Sequence, residues 1–519
     1  MKVYFSSEFY DHGKMKHTFF HIIFFSAFLL ANAPIILKAQ LFVGPGSSIT
    51  IKSGTSFYVG TDLQLKSNNT ASGHFADQTT NAGVTIAGDV LVERFLTANC
   101  WHNTSSPVSN ARSNVYTGTD MVFYYNETII LNDWEFGWVF YNGLLSVMKG
   151  YDIFIPTSDL TVNYATTGAE SLNTGAYSIP VTRTNVPNGE IENHKGWNLV
   201  GNPYPSPLDW LVEDGWNKTA INDAKYIWNP AANNYTIFLG GREPVGINGG
   251  TQYIPSNQGF WVQAIQNGNL QVNNLARKSI MSATPDFYKN SDSETPLVCF
   301  QADGNGYSDQ SIIRFISDSG PNVDAGLDAV KLLSGSELVP QICTVAGKNF
   351  LTINTLPQLS DNLRVELNFS AGNPGFYSLE IAYKSNLDNG CEIYLNDRLT
   401  HDLVNLTNDS VYRFYHDPGN PKGRFYVYFN PSEDIKNNIT PENSFSVFAC
   451  RNLITIVKHS VKEVTGSFVL FDMLGRCRYS RSLTNDSQIQ FLVDVPAGYY
   501  VAHIESNLFT FNQKVHITD

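Results

Sequence analysis

A multi-domain, all-β chain is what the sequence predicts, and three observations carry that expectation. Short runs rich in β-branched and aromatic residues recur along most of the chain, each bounded by Gly, Asn, Asp or Pro. Aromatic residues make up 13% of the positions and charged residues only 16%, against about 25% charged in an average soluble domain. At 519 residues the chain has room for roughly three or four units of about 100–200 residues each. The formal charge is −13 and no Lys/Arg-rich run occurs. An acidic chain without a basic patch argues against nucleic acid and against anionic membrane surfaces as partners.

Residues 1–39 read as an export signal. Lys14, Lys16 and His17 precede an apolar run from Phe19 to Leu30, and Ala39 offers a small residue before Gln40, where cleavage is expected. The run is short for the roughly 20 residues a membrane helix needs. No later segment is long enough, so the mature chain is expected to carry no transmembrane span.

From residue 40 to 99 a strand-and-turn rhythm sets in. Ser48–Ile51, Ser56–Val59, Asp62–Leu65 and Val84–Ala87 are separated by Gly and Asn turns. Near-regular spacing of this kind predicts a few β-solenoid rungs or a small sandwich, acting as a cap or spacer.

Residues 100–290 hold all eight tryptophans and the marks of an internal duplication. Trp101–Pro107 and Trp197–Pro203 share Trp, a small polar residue and Pro at the same spacing, and Lys149-Gly150-Tyr151 matches Gln258-Gly259-Phe260. Between those marks, Trp138–Tyr141 and Tyr226–Trp228 are the expected equivalents. The run WNLVGNPYPSPLDW, from Trp197 to Trp210, must turn sharply at its prolines. Ser206 and Pro207 suit the cap and first position of a short helix.

A third unit, 296–430, reads as seven or more strands, a sandwich of jelly-roll or immunoglobulin-like kind. Its one expected helix is Asp324–Leu333. The last unit, 443–519, reads as a small antiparallel sandwich built from Phe445–Phe448, Leu453–Lys458 and four further strands.

That last unit carries the sharpest pattern in the sequence. Asp472, Gly475 and Arg476 end one strand as Asp-x-x-Gly-Arg, Pro496, Gly498 and Tyr500 start another as Pro-x-Gly-x-Tyr, and Lys514 precedes Val515 and Ile517. In this it resembles the immunoglobulin-like C-terminal (type A) sorting domain of type IX secretion substrates. Cys477, just after the Gly-Arg pair, departs from the family pattern. WNLVGNP and QGFWV are similar to phrases found in the same family's secreted surface proteins. The resemblance implies Sec export, passage across the outer membrane with the type IX machinery as partner, and release or display at the cell surface.

For chemistry the sequence offers little. There is no His-Glu-x-x-His, Gly-x-Ser-x-Gly, P-loop or dinucleotide motif. Ser146 and Lys149 have Ser-x-x-Lys spacing, but that pair needs a helix and the segment reads as strand and turn. Asp303, Asn305 and Asp309 alternate as oxygen ligands of a calcium loop do, although Tyr307 breaks the series and no Glu follows; no other cofactor is implied. Trp134, Trp138, Trp216, Trp228 and Tyr235 could form a sugar-binding platform, or they could be core. The function expected is that of a secreted or surface-displayed, non-enzymatic protein, an adhesin or a component that contacts a surface glycan or matrix polymer. The alternative is a secreted carbohydrate- or protein-degrading hydrolase whose catalytic residues converge only in three dimensions.

Overall fold

In the computed structural model, residues 40–518 are described apart from short stretches at 80–82, 130–133, 167–171, 185–193, 280–293, 321, 401, 409–410, 421, 439–444, 459–464, 485, 487 and 507–509. The export segment 1–39, with its cleavage position after Ala39, therefore lies outside the described residues. Contacts divide the chain into two compact units, 1–230 with 235–291, and 231–234 with 292–519. Strands dominate both, and among the described residues the one α-helix is Glu433–Asn438. No described helix is long and apolar enough to cross a membrane.

The first unit begins as a parallel β-solenoid. Leu41–Val43 lies on Leu63–Leu65, which lies on Val90–Leu96; Ser48–Ile51 pairs with His74–Asp77, and Phe57–Val59 with Val84–Ile86, all in parallel. The registers stack Val43, Leu65 and Val92, and place Val59 over Ile86. Most strands thus bury two alternate apolar side chains against their neighbours in the stack, as Leu63 and Leu65 do on Val90 and Val92, which is why the same short pattern returns every coil. The solenoid alternative holds, not the sandwich. Leu160–Thr166 closes the stack antiparallel on Val90–Leu96. One core cluster runs from Val43 to Tyr164, so packing continues across the boundary expected at residue 99.

Two ribbons follow. The first orders its strands Trp138–Phe140, Val122–Tyr125, Tyr151–Ile155, Cys100–Thr104; the second orders Trp197–Gly201, Gly259–Ala264, Ile221–Asn229, Asn234–Leu239, Val245–Ile247. In the first, Trp101 faces Phe154 and Thr104 faces Tyr151; in the second, Trp197 faces Gln263 and Gly201 faces Gly259. Aligning Trp101 with Trp197 and Gly150 with Gly259 makes these registers identical, so the two ribbons share their backbone pairing. The intervening strands correct one expectation. Topology and register match Phe123 to Tyr226 and Tyr125 to Trp228, so Trp138–Phe140 corresponds to the strand of Tyr235, not to Tyr226–Trp228.

Ser206-Pro207 caps no helix, since Leu208–Asp209 is a short strand paired with Tyr253–Ile254. Ser206 instead accepts a hydrogen bond from Nε of the buried Arg277 (3.1 Å), whose guanidinium also lies 4.6 Å from the Tyr204 ring. The Gly-Asn-Pro-Tyr-Pro turn is held by Asn202, whose Oδ1 accepts from the Tyr204 N–H (2.9 Å) and whose Nδ2 donates to Ser206 O (2.9 Å) and Pro255 O (2.8 Å). Amide side chains commonly fix turns in this way.

The second unit opens with one curled sheet of 11 strands. Its two end strands, Asp402–Asn405 and Tyr412–His416, approach each other, because the Tyr412 hydroxyl bonds both Asp397 Oδ2 (2.9 Å) and Asp402 Oδ2 (3.1 Å). Residues 324–333 are not helical: they form a turn and the short strand Ala329–Val330. Hydrogen bonds from the Asp324 N–H to Asp328 (2.7 Å) and from the Thr355 N–H back to Asp328 (2.7 Å) favour that turn over a helix. The chain ends in a sandwich of a three-stranded and a four-stranded sheet around Phe445, Ile456, Phe468, Ile504 and Val515.

Candidate contact site on the duplicated ribbons

The two ribbons meet through reciprocal pairing. Thr104 bridges Gln258 and Val200 bridges Lys149, both antiparallel; under the alignment above these are the same contact made once in each direction. Ser105 N–H donates to Asn257 O (3.0 Å) and Gly201 N–H donates to Met148 O (2.8 Å), again equivalent positions. Met148 and Asn257 both hold a left-handed backbone, at φ 63° and 58°. Such reciprocity is the signature of a two-fold relation, here within one chain. It also explains the matched glycines. A Cβ on Gly150 would lie 2.6 Å from Val200 O, and one on Gly259 would lie 2.9 Å from Thr104 O.

On equivalent faces the two ribbons have diverged. In the second, Trp197, Tyr226 and Trp261 are each 1% exposed or less. Trp261 packs edge-on against Tyr125 (4.8 Å) and Trp138 (5.5 Å). In the first ribbon the counterparts Trp101 and Phe123 are half-buried, and the position of Trp261 is taken by Asp152.

Asp152 stands opposite Asn103 on one side and Phe123 on the other, with Phe154 two residues along the same face. Among the described residues its carboxylate accepts one hydrogen bond, from Asn103 Nδ2 (2.7 Å). Loss of hydration pushes its pKa up to about 8, offset only in part by that bond. Rings surround it. Trp101 lies 5.2 Å from Phe154 and 6.0 Å from Phe123, inclined at 51° and 56°. Phe123 continues to Phe140 (6.0 Å), which is 57% exposed. Trp228 donates its indole N–H to Trp101 O (3.1 Å) and meets Tyr235 edge-on (5.1 Å). The face is therefore an aromatic wall with a single acid set into it.

The five residues expected as a platform are divided among separate ring contacts. Trp138 belongs to the Tyr125–Trp261 group. Trp216 packs on Trp210 (4.8 Å) with its N–H bonded to Asp209 O (2.8 Å), at the rim of the second ribbon's core. Trp228 and buried Tyr235 form a third pair, the one near Asp152. The Trp134 side chain lies outside the described residues. Trp101, Phe123, Phe154 and Asp152 were missed by composition-based reading. The register match was the signal that could have found them, because it sets Asp152 against Trp261.

The three residues expected as calcium ligands are set apart by the hairpin geometry. Asn305 (φ 55°) and Gly306 (φ 82°) form a two-residue turn between Leu297–Gly304 and Tyr307–Phe315, as Asn-Gly favours. Asp303 pairs with Ser308 while Asp309 pairs with Ala302, so the two carboxylates point to opposite faces. Asp309 is buried in an ion pair with Lys331 and accepts the Ile342 N–H (2.8 Å). Asn305 Nδ2 is spent on Leu338 O (3.1 Å) and the Tyr377 hydroxyl (2.8 Å). Ser146 and Lys149 lie on a turn, with the Lys149 ammonium 3.6 Å from the Tyr124 ring centre.

In the terminal sandwich the residues of the sequence pattern have local tasks. Asp472 Oδ1 accepts the N–H groups of Leu474 and Arg476 (3.0 Å each), and Oδ2 accepts from Nε of Arg476 (2.8 Å) and Arg478 (2.9 Å). These bonds, the Arg476 N–H first, hold its carboxyl well below the usual range. Gly475 takes the turn's left-handed position at φ 78°. Tyr500 ties its hydroxyl to Pro496 O (2.7 Å), and Gly498 begins the strand, pairing with Ile517. Lys514 lies 4.1 Å from the Tyr499 ring centre. Met473, Leu474 and Tyr499 are exposed beside Arg476 and Arg478.

No curated protein matches the chain. Among solved structures it is similar to one described as "Biofilm associated protein - BSP domain", at 9% identity over 83% of this chain and 90% of that one, with a TM-score of 0.15. A family model described as "Domain of unknown function (DUF8693)" matches residues 29–429. That match spans well over half of the 519 residues, and the chain belongs to this family.

Proposed function

We propose that this is a non-enzymatic protein, carried to the cell surface by type IX secretion, that contacts a glycan through the open face of its first ribbon. The observation that carries the contact reading is the divergence of two equivalent faces. Trp197 and Tyr226 are core, whereas Trp101, Phe123 and Phe140 reach solvent. Exposed rings in a cluster lower solubility, and such clusters in soluble proteins mark contact surfaces. Flat rings set beside a polar group suit the mixed apolar and hydroxyl surface of a sugar.

Two features support the export reading. The family match ends at residue 429, so the terminal sandwich stands outside the body the family shares, as an address would. Its Asp472 turn holds two arginines and two exposed apolar side chains, Met473 and Leu474, in one place on an otherwise acidic chain. A receptor could read that combination. Truncation after residue 438 should leave the protein folded in the periplasm, and Arg476→Glu with Lys514→Glu should slow its appearance outside. Cell fractionation decides: surface display of the truncated chain at the normal level would reject the sorting role.

A further inference from the structure

We infer that the first ribbon's open face recognises the ammonium group of an unacetylated amino sugar, with Asp152 as its counter-charge. The inference rests on the glycan reading above and narrows it to one chemical class.

Two acceptors stand side by side. Asn103 is 7% exposed; its Nδ2 is committed to Asp152 (2.7 Å), and its Oδ1 has no hydrogen-bond partner. Buried polar atoms are almost always satisfied, and one left over in a native fold needs an explanation, which a donor bound beside Asp152 would supply. Asp152 presents its carboxyl next to it, with no cation paired to it among the described residues. Burial favours the protonated acid, and an arriving amine takes up that proton, leaving ammonium and carboxylate paired. A group that satisfies a carboxylate and a neighbouring amide oxygen together must bring several N–H or O–H donors. Positive charge makes it stronger, because a charge-assisted bond is roughly twice as strong as a neutral one. An ammonium has three donors and no acceptor.

The rings point the same way. Trp101, Phe123 and Phe154 are inclined to one another by 51° and 56° where they meet, so they form an angled wall, not a flat sheet. Ring faces attract a cation within about 6 Å of their centres. The wall also continues outward from Asp152 through Phe123 to Phe140, and Met121 nearby is 42% exposed. That length exceeds what a single amine needs. A polymer whose units present an apolar ring face and, at intervals, a free amine fits both the acid and the wall. In the second ribbon the same register position is Trp261, 0% exposed, so its space is already filled.

The test is calorimetric titration of the full-length protein and its Asp152→Asn variant with glucosamine hexamer, N-acetylglucosamine hexamer and hexalysine. The expected result is at least tenfold tighter binding of glucosamine hexamer than of the acetylated form, with Asp152→Asn bringing the two within twofold. Equal affinities in the unmodified protein would overturn the ammonium inference and leave the glycan reading standing. Binding of neither sugar would overturn both. The chain's net charge of −13 could attract any polycation. Hexalysine binding as tight as glucosamine hexamer, with neither changed by Asp152→Asn, would therefore assign the effect to bulk charge and overturn the proposal.

Discussion

The two ribbons share register, glycine placement and reciprocal bridges, yet the second ribbon's aromatic face is fully buried and the first ribbon's is only half-buried. In the second ribbon Trp197, Tyr226 and Trp261 form a dry core layer. In the first, half-buried Trp101 and Phe123 flank an acid. The same backbone pairing thus supports two faces of different chemistry. A face no longer required as core is free to acquire a ligand.

The comparison can be broken most forcefully at its point of divergence. Placing the first ribbon's acid into the second, as Trp261→Asp, removes a fully buried indole and buries a carboxyl. The cost should reach at least about 3–5 kcal/mol, the usual cost of truncating a core Trp, with burial of the carboxyl adding to it. Urea unfolding would measure it, and a loss under about 1 kcal/mol would mean that the second face is not core.

Next come the glycines, where the ribbons are expected to behave alike. Gly150→Ala and Gly259→Ala each drive a methyl into a carbonyl oxygen of the crossing strand. Each should cost about 1–3 kcal/mol and by similar amounts. If only one of the pair responds, the reciprocal crossing is wrong.

The smallest effect separates the ribbons by pH. Asp152 has its pKa raised to about 8 in the fold, above about 3.9 for an unfolded Asp. The folded state therefore favours the protonated acid: its contribution is fully present below pH 4 and is lost as pH rises through 8. Asp152→Asn should remove that slope and leave the variant more stable at pH 8.5, by about 1–2 kcal/mol once partial hydration of the half-buried group is allowed for. Denaturant midpoints at pH 5 and pH 8.5 would show it. An unchanged slope would mean that the carboxyl is hydrated and free.

Much of this fold was legible because its signals are local. Solenoid strands announce themselves through alternation and Gly/Asn turns, and the Asn305-Gly306 hairpin through its turn chemistry. The likeness of the two ribbons was readable from Trp and Gly spacing, since the glycines sit where the ribbons cross and nothing larger fits. What was not readable depended on tertiary contacts. Asp324–Leu333 has helical composition, but backbone amides bonded to Asp328 hold it as a turn. Asp303 and Asp309 suggest a loop until strand register sends them to opposite faces. Trp216 lies among polar residues in sequence, yet its ring rests on Trp210. The acid at 152 was invisible for a related reason: its meaning appears only when it is set against Trp261 in the other ribbon.

One matched pair tests the central claim most directly: Trp101→Ala and Trp197→Ala, equivalent positions in the two ribbons, each measured for unfolding free energy and for retention on immobilised glucosamine polymer. Trp197→Ala should lose about 3–5 kcal/mol while the folded fraction still binds. Trp101→Ala should lose less, about 1–2 kcal/mol, as befits a half-buried ring, and should lose binding. Equal destabilisation by both, or full retention by Trp101→Ala, would contradict the account.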